Sequence, residues 1–159
     1  MARPRRIDGI SYLGFNRYFL TFCVRSRARV FVDATIIEAA LLQFRKTAAL
    51  ERFSIIAYCF MPDHVHLLVE ARDDRSDLKR FAKLAKRRSG AAHALAGQGK
   101  LWQEGYYERI LRDDEALRDV ARYIIANPVR AGLVTSPLEY PYSGSSSGED
   151  IADQRHRRD

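Results

Sequence analysis

"FSIIAYCFMPDHVHLLVE", residues 53–70, decides how this chain folds. Residues 53–61 are rich in isoleucine, tyrosine and phenylalanine and read as a strand, and "HVHLLVE" (64–70) reads as a second one. Pro62-Asp63 marks a turn between them, because proline fixes φ and aspartate can bond its own backbone. Two strands separated by two residues make a β-hairpin, hence antiparallel neighbours. In the returning strand alternate side chains share a face, so His64 and His66 point one way and Val65 and Leu67 the other. The chain has four histidines, so half of its imidazoles crowd one face of one strand.

Outward from the hairpin, "RYFLTFCVR" (17–25) has the composition of a further strand. A helix is predicted from Asp33, as N-cap, through residues 34–51. Residues 76–96 read as a second helix begun by Ser76 and weakened near Gly90, and 100–111 as an aromatic-rich strand. Asp113 or Asp114 then caps a helix, "EALRDVARYIIAN", which Pro128 is expected to stop. Strand, helix, strand, strand, helix, strand, with an extra carboxy-terminal helix, is the ferredoxin-like or RRM-like α+β pattern: an antiparallel sheet with helices on one face. One domain is expected over residues 1–142. Residues 143–159, small, polar and mixed in charge, read as a disordered tail.

The 159 residues carry a net charge of +7 and a pI near 9.7. Such a basic excess favours nucleic acid or an anionic surface as partner. No apolar run approaches the ~20 residues that cross a bilayer, and no signal-peptide core follows the basic amino terminus. The expectation is a cytoplasmic protein with no membrane partner. Cys23 and Cys59, both in strand-like runs, fit reduced thiols. On the helix at 77–88, Leu78, Phe81, Ala82, Leu84 and Ala85 take one side, and Lys79, Arg80, Lys83, Lys86 and Arg87 the other. That basic face suits a phosphate backbone or simply solvent; a membrane-lying helix is disfavoured because the apolar side is needed for the core. Arg3, Arg5 and Arg6 add a basic arm. Trp102, Tyr106 and Tyr107 read either as core or as stacking surfaces for unpaired bases.

Two imidazoles on one strand face can converge on a single ion, or can each be an ordinary half-exposed strand residue. His93 and His156 are not expected to converge with them, so any further ligand is expected to be an oxygen donor. Mixed nitrogen and oxygen ligation suits Mn²⁺ or Mg²⁺. On the last helix, Leu117, Val120, Ala121, Ile124 and Ile125 form the buried stripe. Tyr123 and Asn127 project at i and i+4 from its edge. The same pattern describes a boundary aromatic and a helix-stopping Asn-Pro, and the residues alone leave both readings open.

Taken together, these stretches resemble the single-tyrosine transposases of the HUH nuclease class, and within it the REP-associated tyrosine transposases. The matching segments are "YCFMPDHVHLLVE" (58–70), "LWQEGYYERILRDDEALRDVARYIIANPVRAGLV" (101–134) and "YPYS" (140–143), with a looser match at 17–31. The resemblance implies that His64 and His66 are metal ligands and Tyr123 the nucleophile, with Asn127 in the place of the polar third ligand. It implies a divalent-metal-dependent enzyme, with Mg²⁺ or Mn²⁺, that cleaves and rejoins single-stranded DNA near REP-like palindromic hairpins through a 5′-phosphotyrosine. A monomer is favoured over a dimer. The competing expectations are a non-catalytic binder of hairpin or single-stranded nucleic acid on the same fold, and a phosphodiesterase that uses water as nucleophile.

Overall fold

The computed structural model describes residues 16–146. Five strands form one antiparallel sheet: β1 (Arg17–Cys23), β2 (Phe53–Met61), β3 (His64–Ala71), β4 (Tyr107–Leu111) and β5 (Ser143–Ser145), in the order β4-β1-β3-β2-β5. Three helices complete the order along the chain: α1 (Ala34–Glu51), α2 (Leu78–Leu95) and α3 (Asp114–Arg130). The first four strands with α1 and α2 reproduce the ferredoxin-like arrangement expected from the sequence.

Alternation along the strands divides the sheet into two faces with different partners. Tyr18, Leu20, Phe22, Phe60, Val65, Leu67 and Val69 turn toward α1 and α2, where they meet Ile37, Ala40 and Phe44 from α1 and Leu78, Phe81 and Ala85 from α2. Phe22, Phe44, Phe60 and Trp102 interlock there with ring centroids 5.7–6.1 Å apart. Each such fully buried ring contributes about 1.5–3 kcal/mol, so this layer holds the domain together. The opposite face is smaller. Ala57, Cys59, Met61 and Leu68 meet α3 through Val120 and Ile124, with Leu111 and Tyr140 completing the cluster. His64 and His66 alternate in register with Leu68 and so stand on this second, less filled face.

Each helix begins on an aspartate: Asp33 accepts from the Thr35 amide at 2.8 Å, Asp77 from Arg80 at 3.2 Å and Asp113 from Ala116 at 2.7 Å. Three boundaries differ from the sequence reading. Ser76 does not start α2; it is buried, and its hydroxyl donates to the Arg52 carbonyl at 2.7 Å. Residues 100–106 are not strand. Trp102 makes only an isolated bridge to Val24, and its indole N–H donates to Ser89 Oγ at 2.9 Å inside the core. Pro128 does not stop α3, which runs on to Arg130. Proline removes one amide, but the next turn is still closed by the Ala131 amide on the Asn127 carbonyl at 3.0 Å and capped at Gly132, φ 73°.

The carboxy-terminal boundary also moves. Ser143–Ser145 pairs with Ala57–Cys59 of β2, where Gly144 leaves room for the Tyr58 ring; a Cβ there would stand 2.7 Å from it. Residues 147–159 and the arm bearing Arg3, Arg5 and Arg6 lie outside the described residues. Among the described residues no helix is long and apolar enough to cross a membrane.

Candidate active site

β3 lies in the middle of the sheet, between β1 and β2, so its histidines are backed by a rigid ladder on both sides. His66 pairs in register with Thr21 and Cys59, and His64 with Cys23 and Met61. Their rings lie 4.7 Å apart at a steep angle, with Nε2 facing Nε2 at 3.2 Å. Each outer ring nitrogen has its own partner: Nδ1 of His64 meets Asp63 Oδ1 at 2.7 Å, and Nδ1 of His66 meets Thr21 Oγ1 at 2.8 Å. A carboxylate only accepts, so Nδ1 of His64 carries the hydrogen. Thr21 can accept from His66 in the same sense. In those tautomers two Nε2 lone pairs confront each other, an arrangement that repels unless a proton or a cation lies between them.

That geometry fits a divalent ion held by two imidazoles, each steadied from behind by an oxygen acceptor. Among the described residues no group of three or more His, Cys, Asp or Glu converges anywhere. Among the described residues the imidazole pair would supply the nitrogen ligands of such a site, and its other positions would fall to oxygen donors of other kinds.

Tyr123 stands over this pair. Ile124, fully buried, and Val120 anchor α3 on the sheet. The neighbouring Tyr123 therefore lies at the margin of the apolar stripe, half exposed, with its ring 6.4 Å from His66 and 6.2 Å edge-on from Phe19. Phe19 also touches His66, at 5.2 Å, and links the strand imidazole to the helical phenol. Asn127 is half-buried one turn beyond Tyr123 on the same helix.

The positive charge around the pair comes from arginines that the sequence reading did not select. Arg27 donates through Nε to Asp63 Oδ2 at 2.9 Å and through a terminal nitrogen to Cys23 Sγ at 3.0 Å. It thus holds the carboxylate that holds His64. Ser26 and Arg27 adopt left-handed φ of 57° and 53° to make that reach, a conformation that costs non-glycine residues of order 1 kcal/mol each. The Arg130 guanidinium lies over the Tyr123 ring, 3.8 Å from its centre. Arg109 and Tyr107 of β4 pair with Phe19 and Thr21, and so share the histidine face.

The basic helix contributes differently from expectation. α2 packs on the other face of the sheet, so Lys79, Arg80, Lys83, Lys86 and Arg87 do not converge on the histidines. Arg80 pairs with Glu51 at 2.9 Å. Lys86 is turned inward: Nζ donates to the Gln103 and Gly105 carbonyls at 2.7 and 2.6 Å, pinning the loop before β4. Burial lowers its pKa to about 8. Lys83 and Arg87 are exposed.

Burial also pushes His66 far below its ordinary value of 6.5, to about 3, with the charges of His64, Arg130 and Arg27 adding to the effect. Burial raises Asp63, but its bonds and attraction to His64 and Arg27 outweigh that and leave it below its usual range. Both shifts destabilise the fold in acid. Between about pH 6.5 and 3 the unfolded chain takes up a proton at His66 that the folded chain refuses, so stability falls as pH drops through that window. The Asp63 contribution is lost only at the acid end. The melting temperature of the metal-free protein should therefore decline from pH 7 to pH 4, and more steeply than that of a His66→Gln variant. Parallel profiles would show that His66 accepts its proton freely in the fold.

Residues 16–127 match the family model described as "Transposase IS200 like". A curated Haemophilus influenzae protein, assigned as a REP-associated tyrosine transposase, is 28% identical over 137 residues, covering 79% of this chain and 77% of that one. The REP-associated tyrosine transposase of Escherichia coli is 26% identical over 137 residues, covering 83% and 78%. Among solved structures, a REP-associated tyrosine transposase bound to a REP hairpin superposes with a TM-score of 0.77 at 22% identity, covering 97% of this chain and 87% of that one. A Deinococcus radiodurans chain assigned as a transposase superposes with a TM-score of 0.55, also at 22% identity, covering 76% and 95%. The last two likenesses concern the fold.

Proposed function

Since the chain belongs to the IS200-like transposase family, we propose that it cleaves and rejoins single-stranded DNA beside palindromic hairpins, with Tyr123 as nucleophile. The observation that carries this reading is the placement of the half-exposed Tyr123 ring 6.4 Å from the ring of His66. A phosphodiester seated between helix and strand would meet the phenol on one side and the imidazole pair on the other. The hairpin as substrate is carried over from the solved relative, which was captured with one.

The residues divide the work. His64 and His66 direct Nε2 inward, Asp63 and Thr21 fix their rings, and Arg27 fixes Asp63. Mn²⁺ or Mg²⁺ held there would polarise a nonbridging phosphate oxygen and stabilise the leaving 3′ oxygen. Asn127, on the helix face below Tyr123, is the proposed third protein ligand through its amide oxygen. Tyr123 attacks phosphorus and retains the 5′ phosphate as a diester. A neutral phenol is a weak nucleophile toward phosphorus, so alignment supplies most of its advantage. Because the ester is retained rather than hydrolysed, a second 3′-OH can reverse the step and join strands. Arg109 and Tyr107 on the same face offer a phosphate contact and a stacking surface for the strand leading to the site. Lys83 and Arg87, exposed on the far face, remain available to a DNA that wraps the sheet, and the amino-terminal arginines are proposed to reach the same backbone.

The test uses an end-labelled hairpin with a single-stranded flank, incubated with the full chain and Mn²⁺. The reading predicts a labelled species that survives denaturation and disappears on protease treatment. Cleavage without any protein-linked product would favour water as the nucleophile. Salt-sensitive binding without cleavage would favour a non-catalytic hairpin binder.

A further inference from the structure

Arg130 closes the helix that carries Tyr123, seven residues and so two turns further along the same face. Its guanidinium carbon sits 3.8 Å from the centre of the phenol ring, which is van der Waals contact with the ring face. It is exposed, and among the described residues it makes no ion pair. Of the other arginines on this face, Arg27 is committed to Asp63 and Arg17 to Glu70, while Arg109 stands on β4 opposite Phe19. The charge of Arg130 also bears on His66 and Cys59 of the sheet face that Tyr123 covers. The turn that carries it is anchored beyond the proline by the amides of Ala131, Gly132 and Leu133 on the carbonyls of Asn127, Val129 and Pro128. The cation is therefore held in place, with its donors unspent, beside the proposed nucleophile.

A guanidinium lying on an aromatic face keeps its N–H groups at its own edge, roughly parallel to the ring. The phenolic oxygen is at the edge of that ring, so a phosphate bonding to it comes alongside those donors. We propose that Arg130 is a catalytic residue of the transfer step, donating hydrogen bonds to nonbridging oxygens of the phosphate that Tyr123 attacks; this rests on Tyr123 being the nucleophile. In that step the bond from the Tyr123 oxygen to phosphorus forms as the bond from phosphorus to the 3′ oxygen breaks. The phenolic proton passes to water and the departing 3′ oxygen takes one from water, while Arg130 stays protonated throughout. Its charge offsets the negative charge that builds on the equatorial oxygens. In the reverse, joining step it holds the phosphotyrosine diester in line for the incoming 3′-OH.

The experiment measures the single-turnover rate of covalent adduct formation on the labelled hairpin with Mn²⁺, for the full chain and three variants. Arg130→Ala should slow the adduct by about 10²-fold while hairpin affinity, read by fluorescence anisotropy, changes less than about threefold. Arg130→Lys should retain an intermediate rate, and Arg130→Met, which covers the ring without donors, should be as slow as alanine. Guanidinium ion added in solution should restore part of the Arg130→Ala rate, which a packing role would not produce. An Arg130→Ala rate equal to wild type, or an Arg130→Met rate equal to wild type, overturns the proposal. A wild-type protein that forms no adduct defeats the Tyr123 reading first and this one with it. An adduct that forms at full rate without Arg130 defeats this one alone.

Discussion

Replacing Tyr123 with phenylalanine is expected to abolish the covalent DNA adduct, by at least about 10³-fold, in a protein that remains folded and still binds the hairpin. The change deletes one hydroxyl from a half-exposed ring. The contacts that place that ring are the edge-on packing against Phe19 and the guanidinium above it, and phenylalanine keeps both. Stability should shift by no more than about 0.5 kcal/mol, as for most surface substitutions. Affinity for DNA depends on backbone contacts spread over the surface and should be nearly unchanged. Cleavage with water as nucleophile would survive the substitution, so persistent cleavage by Tyr123→Phe would remove the tyrosine from the mechanism.

The second large effect is expected at the imidazole pair. His64→Ala takes away one of two facing Nε2 donors and leaves His66 alone. One imidazole cannot hold a labile divalent ion that the described residues support with no cluster of other strong ligands. Mn²⁺ binding, followed by calorimetry, and cleavage should both fall below detection, while hairpin binding in the absence of metal persists. Asp63→Asn should fall between: the carboxylate that fixes the His64 tautomer at 2.7 Å is replaced by a weaker acceptor, and outer partners of this kind typically change metal affinity by about 10–100-fold. If His64→Ala cleaves at an undiminished rate, the two rings face each other for a structural reason only.

Much of this arrangement could be read from the residues. The hairpin at 53–70 carried the topology because strand periodicity and turn chemistry agreed there, and alternation alone assigned His64 and His66 to one face. Tyr123 was visible as a residue at the edge of an amphipathic stripe, but which sheet face α3 covers was not. That depended on which face α1 and α2 had already filled, a long-range matter that local pattern does not record. Ser76 misled because a serine before a helix reads as a cap, whereas its hydroxyl is drawn to the Arg52 carbonyl from a neighbouring loop. Pro128 misled for a related reason: one missing amide did not end a helix whose next turn was secured by three others. Ending the helix there also hid Arg130. Lys86 carries a general lesson, since a lysine on a basic helical face looks solvated until tertiary structure brings two loop carbonyls within reach. Asp63 served the turn reading correctly, and its second duty became visible only when the hairpin bent its carboxylate onto His64.

The central claim is that the helical phenol and the strand imidazoles act on one phosphate. Its most direct test is mass spectrometry of the covalent product after nuclease trimming and trypsin digestion. The prediction is a deoxynucleotide 5′-phosphate on the peptide 123–130, attached to Tyr123. The same nucleotide on any other tyrosine, such as Tyr107 or Tyr140, would contradict the account, as would strand cleavage that leaves every tyrosine peptide unmodified.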